Sequence, residues 1–372
     1  MTSSLPLIPM NDLGRKPAFL LERLDQVARK VVNGSWYILG PHVQAFETAF
    51  SAYCGVPHCV GVGNGTDALE IALRALDVGP GCDVLTVANA GMYSTSAILS
   101  CGARPVFVDV DPETYCMDPD ALATSLTQKT RAVIVTHLYG LLADMDRILT
   151  VTNQAHVPVV EDCAQAHGAI RHGKRAGSFG TLGCFSFYPT KNLGALGDGG
   201  AITTQDESID RKLRQLRQYG WQTRYDSVLP YGRNSRLDEI QAAFLLEMLP
   251  YLDQANERRR RIAGKYKHSG VNMSAGDGPG HVRHLCVMRH KNRDAFRALL
   301  RSAGVATDVH FPTPDYRQPA VMAILGKHPQ LPVTENAISQ IISLPCFPEM
   351  TDAEVGMVST ALVTVSESLV ES

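Results

Sequence analysis

Apolar residues along this chain switch between two spacings. From Pro17 to Asn33 and from Val43 to Tyr53 they recur every three to four positions, which predicts amphipathic helices. Cys59-Val60-Gly61-Val62 is a short unbroken apolar run, the signature of a strand covered on both faces. Beyond it the patterns alternate. Helices are predicted at Thr66 to Leu76, Tyr93 to Cys101, Pro119 to Leu126 and Asp144 to Ala155. Strands are predicted between them, at Asp83 to Val87, Pro105 to Val110, Ala132 to Thr136 and Val157 to Glu161. Alternation at this spacing suits right-handed crossovers, so the fold class is α/β with a mostly parallel sheet covered by helices.

Near Leu237 the texture changes. Two helices are expected, Leu237 to Leu252 and the strongly basic Asp253 to Tyr266. A turn-rich stretch, Gly270 to Gly280, and a strand-like His284 to Arg289 follow. The expected division is a large domain of residues 1–252 and a smaller C-terminal α+β domain of residues 253–372, with the N-terminal helices able to pack on the small one.

Composition narrows the function. Of 372 residues, 45% are hydrophobic and 19% charged, as in globular proteins, and the net charge of −2 offers no general attraction to nucleic acid or an anionic membrane. Arg258 to Arg261 point in four directions on a helix, so they form no basic stripe. Nine cysteines lie scattered without a Cys-x-x-Cys pair, which predicts free thiols in a reducing cytoplasm and no zinc site. On a strand the odd spacing of His281 and His284 would put them on opposite faces, so no metal is expected there. No leader is expected in Met1 to Arg15, and no run of 18 apolar residues predicts a membrane span.

The chemistry points to Lys191, which follows the apolar run Cys184 to Tyr188 and precedes a glycine-rich loop returning into Ala201 to Thr204. An amine between two buried strands loses solvation, which favours its neutral, nucleophilic form. The plain alternative is a lysine at a hairpin tip. Gly61 to Thr66, between strand and helix, can cradle an anion on a helix N-terminus, although a tight turn would look the same. It is neither a dinucleotide nor a Walker motif. Asp162 ends an apolar strand, where open α/β sheets bind ligands. It suits a protonated pyridine nitrogen or, equally, a helix cap. Tyr231 to Glu239 reads as a polar turn opening a helix, a fourth candidate segment of the same site; the plain alternative is a helix N-cap supplied by Asn234 or Ser235.

The segments GNGTDALEIALRAL, GARPVFVDVD, HLYG, VEDCAQAHGA, GSFGTLGCFSFYPTKNLGALGDGGA, NSRLDEIQAAFL and HFP resemble the DegT/DnrJ/EryC1/StrS family of pyridoxal-phosphate-dependent nucleotide-sugar aminotransferases, of the aspartate-aminotransferase-like fold type I. The resemblance runs from about Asn33 to Pro348. It implies that Lys191 holds pyridoxal 5'-phosphate covalently, that Asp162 pairs with the pyridine nitrogen and that Gln165 lies beside the ring hydroxyl. Gly65, Thr66, Asp67 and Ser186 would bind the phosphate, Asn234 would reach it from the neighbouring subunit of a homodimer with shared sites, and His310 would border the sugar. The family usually stacks an aromatic residue on the ring. In this chain that position falls on Gly91, and Tyr93 is the expected substitute. The implied reaction moves an amino group from an amino acid, by family analogy L-glutamate, to a nucleotide-linked keto-deoxy sugar. Gly63 to Leu69, Asn192 to Asp198 and Gln218 to Gly220 resemble the members that aminate at C-3, although those often read Pro-Gly-Lys-Asn where this chain has Pro189-Thr-Lys-Asn192; the resemblance implies a 3-keto rather than a 4-keto sugar. A cofactor-dependent sugar dehydratase and a non-enzymatic regulator are the remaining alternatives.

Overall fold

A seven-stranded sheet forms the centre of the molecule, in a computed structural model that describes residues 7–370. Residues 1–6, the start of the stretch read for a leader, and 371–372 lie outside it. The strands are β1 (His58–Val62), β2 (Asp83–Thr86), β3 (Arg104–Phe107), β4 (Thr130–Thr136), β5 (Val159–Asp162), β6 (Leu182–Ser186) and β7 (Gly200–Thr204). Their order is β1-β7-β6-β5-β4-β2-β3. All run parallel except β7, which is antiparallel to both neighbours. The reason lies in the β6–β7 connection, which carries Lys191 and contains no helix. Without a crossover element the chain can only turn back antiparallel.

The unbroken apolar runs reflect burial on both faces. Val133, Ile134 and Val135 of β4 and Val160 of β5 are fully covered, each such side chain contributing about 1.5–3 kcal/mol relative to exposure. Helix Ala18–Gly34 buries Leu20, Leu24, Val27 and Val31 at helical spacing, against a cluster with Phe46, Phe50, Phe185 and Phe187. Its apolar stripe therefore packs on the large sheet's side of the molecule. Helix Gly65–Ala75 is capped by Asn64, whose side chain accepts the Asp67 N–H at 2.8 Å.

Three differences from the sequence expectations have physical causes. Helix Glu207–Leu216 was not anticipated, although its Asp206 cap and buried Leu213 and Leu216 follow the helical rule. The helix expected over Leu237 to Leu252 is helical only at Glu239–Met248 and then tightens into one 3-10 turn, Leu249–Tyr251. Pro250 lacks the N–H that would continue it. Neither Asn234 nor Ser235 caps that helix. Asp238 occupies the cap position, and the Ser235 hydroxyl accepts the Gly63 N–H at 2.9 Å.

Toward the C-terminus, β8 (Asn272–Met273), β9 (Cys286–Arg289) and β10 (Ile341–Leu344) form an antiparallel sheet in that order. Helices Leu252–Lys267, Arg293–Ser302 and Asp352–Val370 pack there around Tyr266, Phe296 and Phe347. The four arginines diverge as expected. Arg259 is buried against the Cys346 carbonyl, Arg258 pairs with Asp352 at 2.9 Å, Arg260 pairs with Glu257, and Arg261 is exposed. All nine cysteines are unpaired. Among the described residues no helix is long and apolar enough to cross a membrane.

Candidate active site

Parallel strands bring their carboxyl ends to one edge of the sheet, and a cavity of about 480 Å³ opens there. Gly65 and Thr66 come from the turn after β1, Asp162 and Gln165 from the end of β5, Ser186 from the end of β6, and Lys191 from the loop beyond it. Tyr93, at the start of helix Tyr93–Ser100, and His310 close the wall. Eight of the ten sequence-predicted site residues thus face one space.

Asp162 is buried and short of partners. Its carboxylate accepts the Ala164 N–H at 3.2 Å, while the Thr136 and Ser94 hydroxyls stand only at 3.4 and 3.5 Å. Burial pushes its pKa up, opposed by the Ala164 N–H and then by the Lys191 ammonium. A buried carboxylate with one good hydrogen bond needs a further donor or cation. Behind it, the Ala143 N–H donates to His137 Nδ1 at 3.2 Å, so the ring proton sits on Nε2 and is donated to Glu161 at 2.9 Å. Glu161 also accepts the N–H groups of Gly177, Phe179 and Gly180. His137, Glu161 and Cys163 cluster closely enough to suggest a metal, but these hydrogen bonds already use both carboxylate oxygens. The network anchors the end of β5.

Lys191 makes no side-chain hydrogen bond or ion pair among the described residues; its backbone N–H turns back to the Tyr188 carbonyl at 2.8 Å. Burial pushes its amine pKa down to about 8, against the opposing pull of Asp162. The amine is therefore mainly protonated below pH 8 and free above it. Condensation of apoenzyme with pyridoxal phosphate, followed by visible absorbance, is expected to accelerate as pH rises from about 6.5 and to level off above about 9. A rate still climbing tenfold per pH unit at pH 10 would refute the depressed pKa.

The end of the cavity at Gly65 and Thr66 offers an anion site. The first-turn N–H groups of Gly65 and Thr66 have no intrahelical partners and the helix dipole favours an anion there. A Cβ on Gly65 would lie 2.5 Å from Ser186 Cβ, so only glycine lets the two segments meet. Gly65→Ala is expected to cost about 1–3 kcal/mol through overpacking and to weaken cofactor binding about tenfold or more, read by titrating apoenzyme. Gln165 accepts the Tyr139 N–H through Oε1 at 2.6 Å, which leaves its NH2 group to donate elsewhere. An under-bonded carboxylate, a depressed amine, free helix-terminal N–H groups and an amide donor together fit pyridoxal phosphate.

Two predicted residues stand apart. Asp67 does not line the cavity, because its N–H goes to Asn64 and its carboxylate pairs with Arg233 at 3.1 Å. Asn234 is exposed, bridged to Gln218, and outside the cavity of its own chain. His310 donates or accepts at Ser343 Oγ, 2.9 Å away, and burial lowers its pKa against the opposing Asp308.

The sequence reading missed His284 and Phe311, both cavity-lining. His284 precedes β9 rather than lying in it, so strand periodicity gave no guide. Asn192 Nδ2 donates to Asn256 and Val282, so its Oδ1 must accept from His284 Nδ1 at 3.0 Å. That fixes His284 Nε2 as an unprotonated acceptor, and burial lowers the ring's pKa well below the usual range.

Residues 20–363 match the DegT/DnrJ/EryC1/StrS aminotransferase family. The chain belongs to that family. A dTDP-3-amino-3,6-dideoxy-alpha-D-galactopyranose transaminase of Aneurinibacillus thermoaerophilus is 42% identical to it, over 96% of this chain and 99% of that one. A protein of Geobacillus stearothermophilus named a pleiotropic regulatory protein is 41% identical, over 93% and 95%. The crystal structure of S. venezuelae DesV in complex with a ketimine intermediate superimposes with a TM-score of 0.94, at 37% identity, covering 98% of this chain and 99% of that one. As a DegT/DnrJ/EryC1/StrS protein this chain is a fold type I aminotransferase, and its cofactor is pyridoxal 5'-phosphate.

Proposed function

We propose that the enzyme transfers an amino group from L-glutamate to a nucleotide-linked keto-deoxy sugar carrying its ketone at C-3. The observation that carries this reading is the convergence of the Lys191 amine and the under-bonded Asp162 carboxylate on one cavity whose far end is a helix N-terminus. Bound pyridoxal phosphate would supply an electron sink for negative charge at the amino donor's α-carbon. Asp162 keeps the ring nitrogen protonated, Gln165 donates to the ring hydroxyl, and Gly65, Thr66 and Ser186 hold the phosphate. Lys191 anchors the cofactor and, when free and neutral, moves the proton at the donor's α-carbon. His310 borders the sugar.

The exposure of Asn234 is what a residue serving a neighbouring subunit would show, so the working enzyme on this reading is a homodimer with shared sites. Its two domains divide near residues 252 and 253, supported by the separate apolar cluster around Tyr266 and Phe347. The 3-keto assignment draws on the 3-amino sugar in the name of the Aneurinibacillus relative. It is tested with dTDP- and UDP-linked 3-keto and 4-keto sugars and glutamate, reading the mass and position of the new amine. Amine appearing only at C-4 would overturn the regiochemistry, and inactivity on all of them would overturn the nucleotide-sugar assignment.

A further inference from the structure

No side chain fits at position 91 of this backbone. Gly91 has φ of +81°, and a Cβ built on it would lie 2.9 Å from Cδ1 and Cε1 of Phe311. The Phe311 ring takes that space and lines the cavity. It meets Tyr93 edge to face, with centroids 6.0 Å apart and planes at 77°. Tyr93 in turn stands within electrostatic reach of Asp162: burial, then the Asp162 charge, raises its phenol pKa.

We propose that the aromatic wall of the cofactor site is assembled from two distant segments, with Phe311 and Tyr93 together packing against the cofactor ring and Gly91 serving as the gap that admits Phe311. This rests on the cofactor reading of the cavity given above. It changes the expected role of Tyr93 from sole stacking residue to one half of a pair.

The two rings are held in register by a positioning residue. The Asp315 carboxylate accepts the Met92 N–H at 3.0 Å and the Thr95 hydroxyl at 2.5 Å, at the start of the helix that carries Tyr93. The Asp315 N–H returns to the Ala88 carbonyl at 2.8 Å. On the other side Tyr139 donates its hydroxyl to the His310 carbonyl at 2.5 Å. The segment bearing Phe311 is therefore tied both to the Tyr93 helix and to the turn after β4. The sequence distance between Gly91 and Phe311 hides this pairing.

The test compares Phe311→Leu and Phe311→Ala with the wild type by equilibrium dialysis of apoenzyme against pyridoxal phosphate, by visible circular dichroism of the bound cofactor, and by thermal unfolding. An aromatic–aromatic contact accounts for about three- to tenfold in binding. Phe311→Leu is expected to keep most of the thermal stability, because it refills the volume. It is also expected to weaken cofactor binding about three- to tenfold and to shrink the visible band. Phe311→Tyr restores both. Gly91→Ala loses affinity by displacing the ring, but costs no further affinity in a Phe311→Ala background. If Phe311→Leu and Phe311→Ala bind the cofactor as wild type does, with an unchanged band and only a lower unfolding temperature, Phe311 is mere packing and the proposal falls. Wild-type protein that binds no pyridoxal phosphate would overturn both this proposal and the functional reading beneath it.

Discussion

Lys191→Ala is expected to abolish transamination while leaving a folded protein. On the proposed reading the amine has two tasks, anchoring the cofactor and moving the proton, and among the described residues no other lysine lines the cavity. Loss of a positioned general base alone costs about 10²–10⁴ in rate, and loss of the anchor adds to that, so turnover should fall by about 10⁴ or more. The fold should survive because the side chain makes no hydrogen bond or ion pair among the described residues. The sign of the stability change can be worked out. The folded pKa, about 8, lies below the unfolded value of 10.5, so protonation opposes folding, fully below pH 8 and not at all above 10.5. At pH 7 the alanine variant should therefore melt no earlier than wild type, overpacking and cavity effects aside. Borohydride reduction followed by mass spectrometry of the purified variant is the check. A cofactor adduct still fixed to the protein would end the assignment of Lys191.

Asp162→Asn should reduce turnover by about 10²–10³, the usual effect of removing one preorganised electrostatic partner from a buried site. The substitution keeps the shape and an acceptor for the Ala164 N–H, so the loss isolates the negative charge. Two effects should appear together. On the proposed reading the ring nitrogen would lose the partner that keeps it protonated, and Lys191 loses the attraction that holds its pKa up. The amine should then become neutral at a lower pH than in wild type, seen as a downward shift in the pH dependence of cofactor condensation. Borohydride should still fix the cofactor to Lys191, which separates this variant from Lys191→Ala. Wild-type turnover in Asp162→Asn would remove the carboxylate from the mechanism.

What the sequence by itself determined is the part of the molecule governed by local periodicity. Buried parallel strands must be apolar throughout and their covering helices must be amphipathic, so β1 to β5 and the helices between them were legible, as were Gly65, Asp162 and Lys191 at strand ends and turns. Pairing across the chain was left to the tertiary structure. Periodicity carries no record of which loops meet, so nothing local said that Phe311 would fill the space above Gly91 or that Asn192 would set the tautomer of His284. Asp67 shows the same dependence on distant segments. The family resemblance implies a phosphate contact for it, and within this chain the fold brings Arg233 to its carboxylate and leaves it outside the cavity lining. Chain segments hundreds of residues apart can be matched only by packing, because the close contacts that decide the shape of the site exist only once the core has formed.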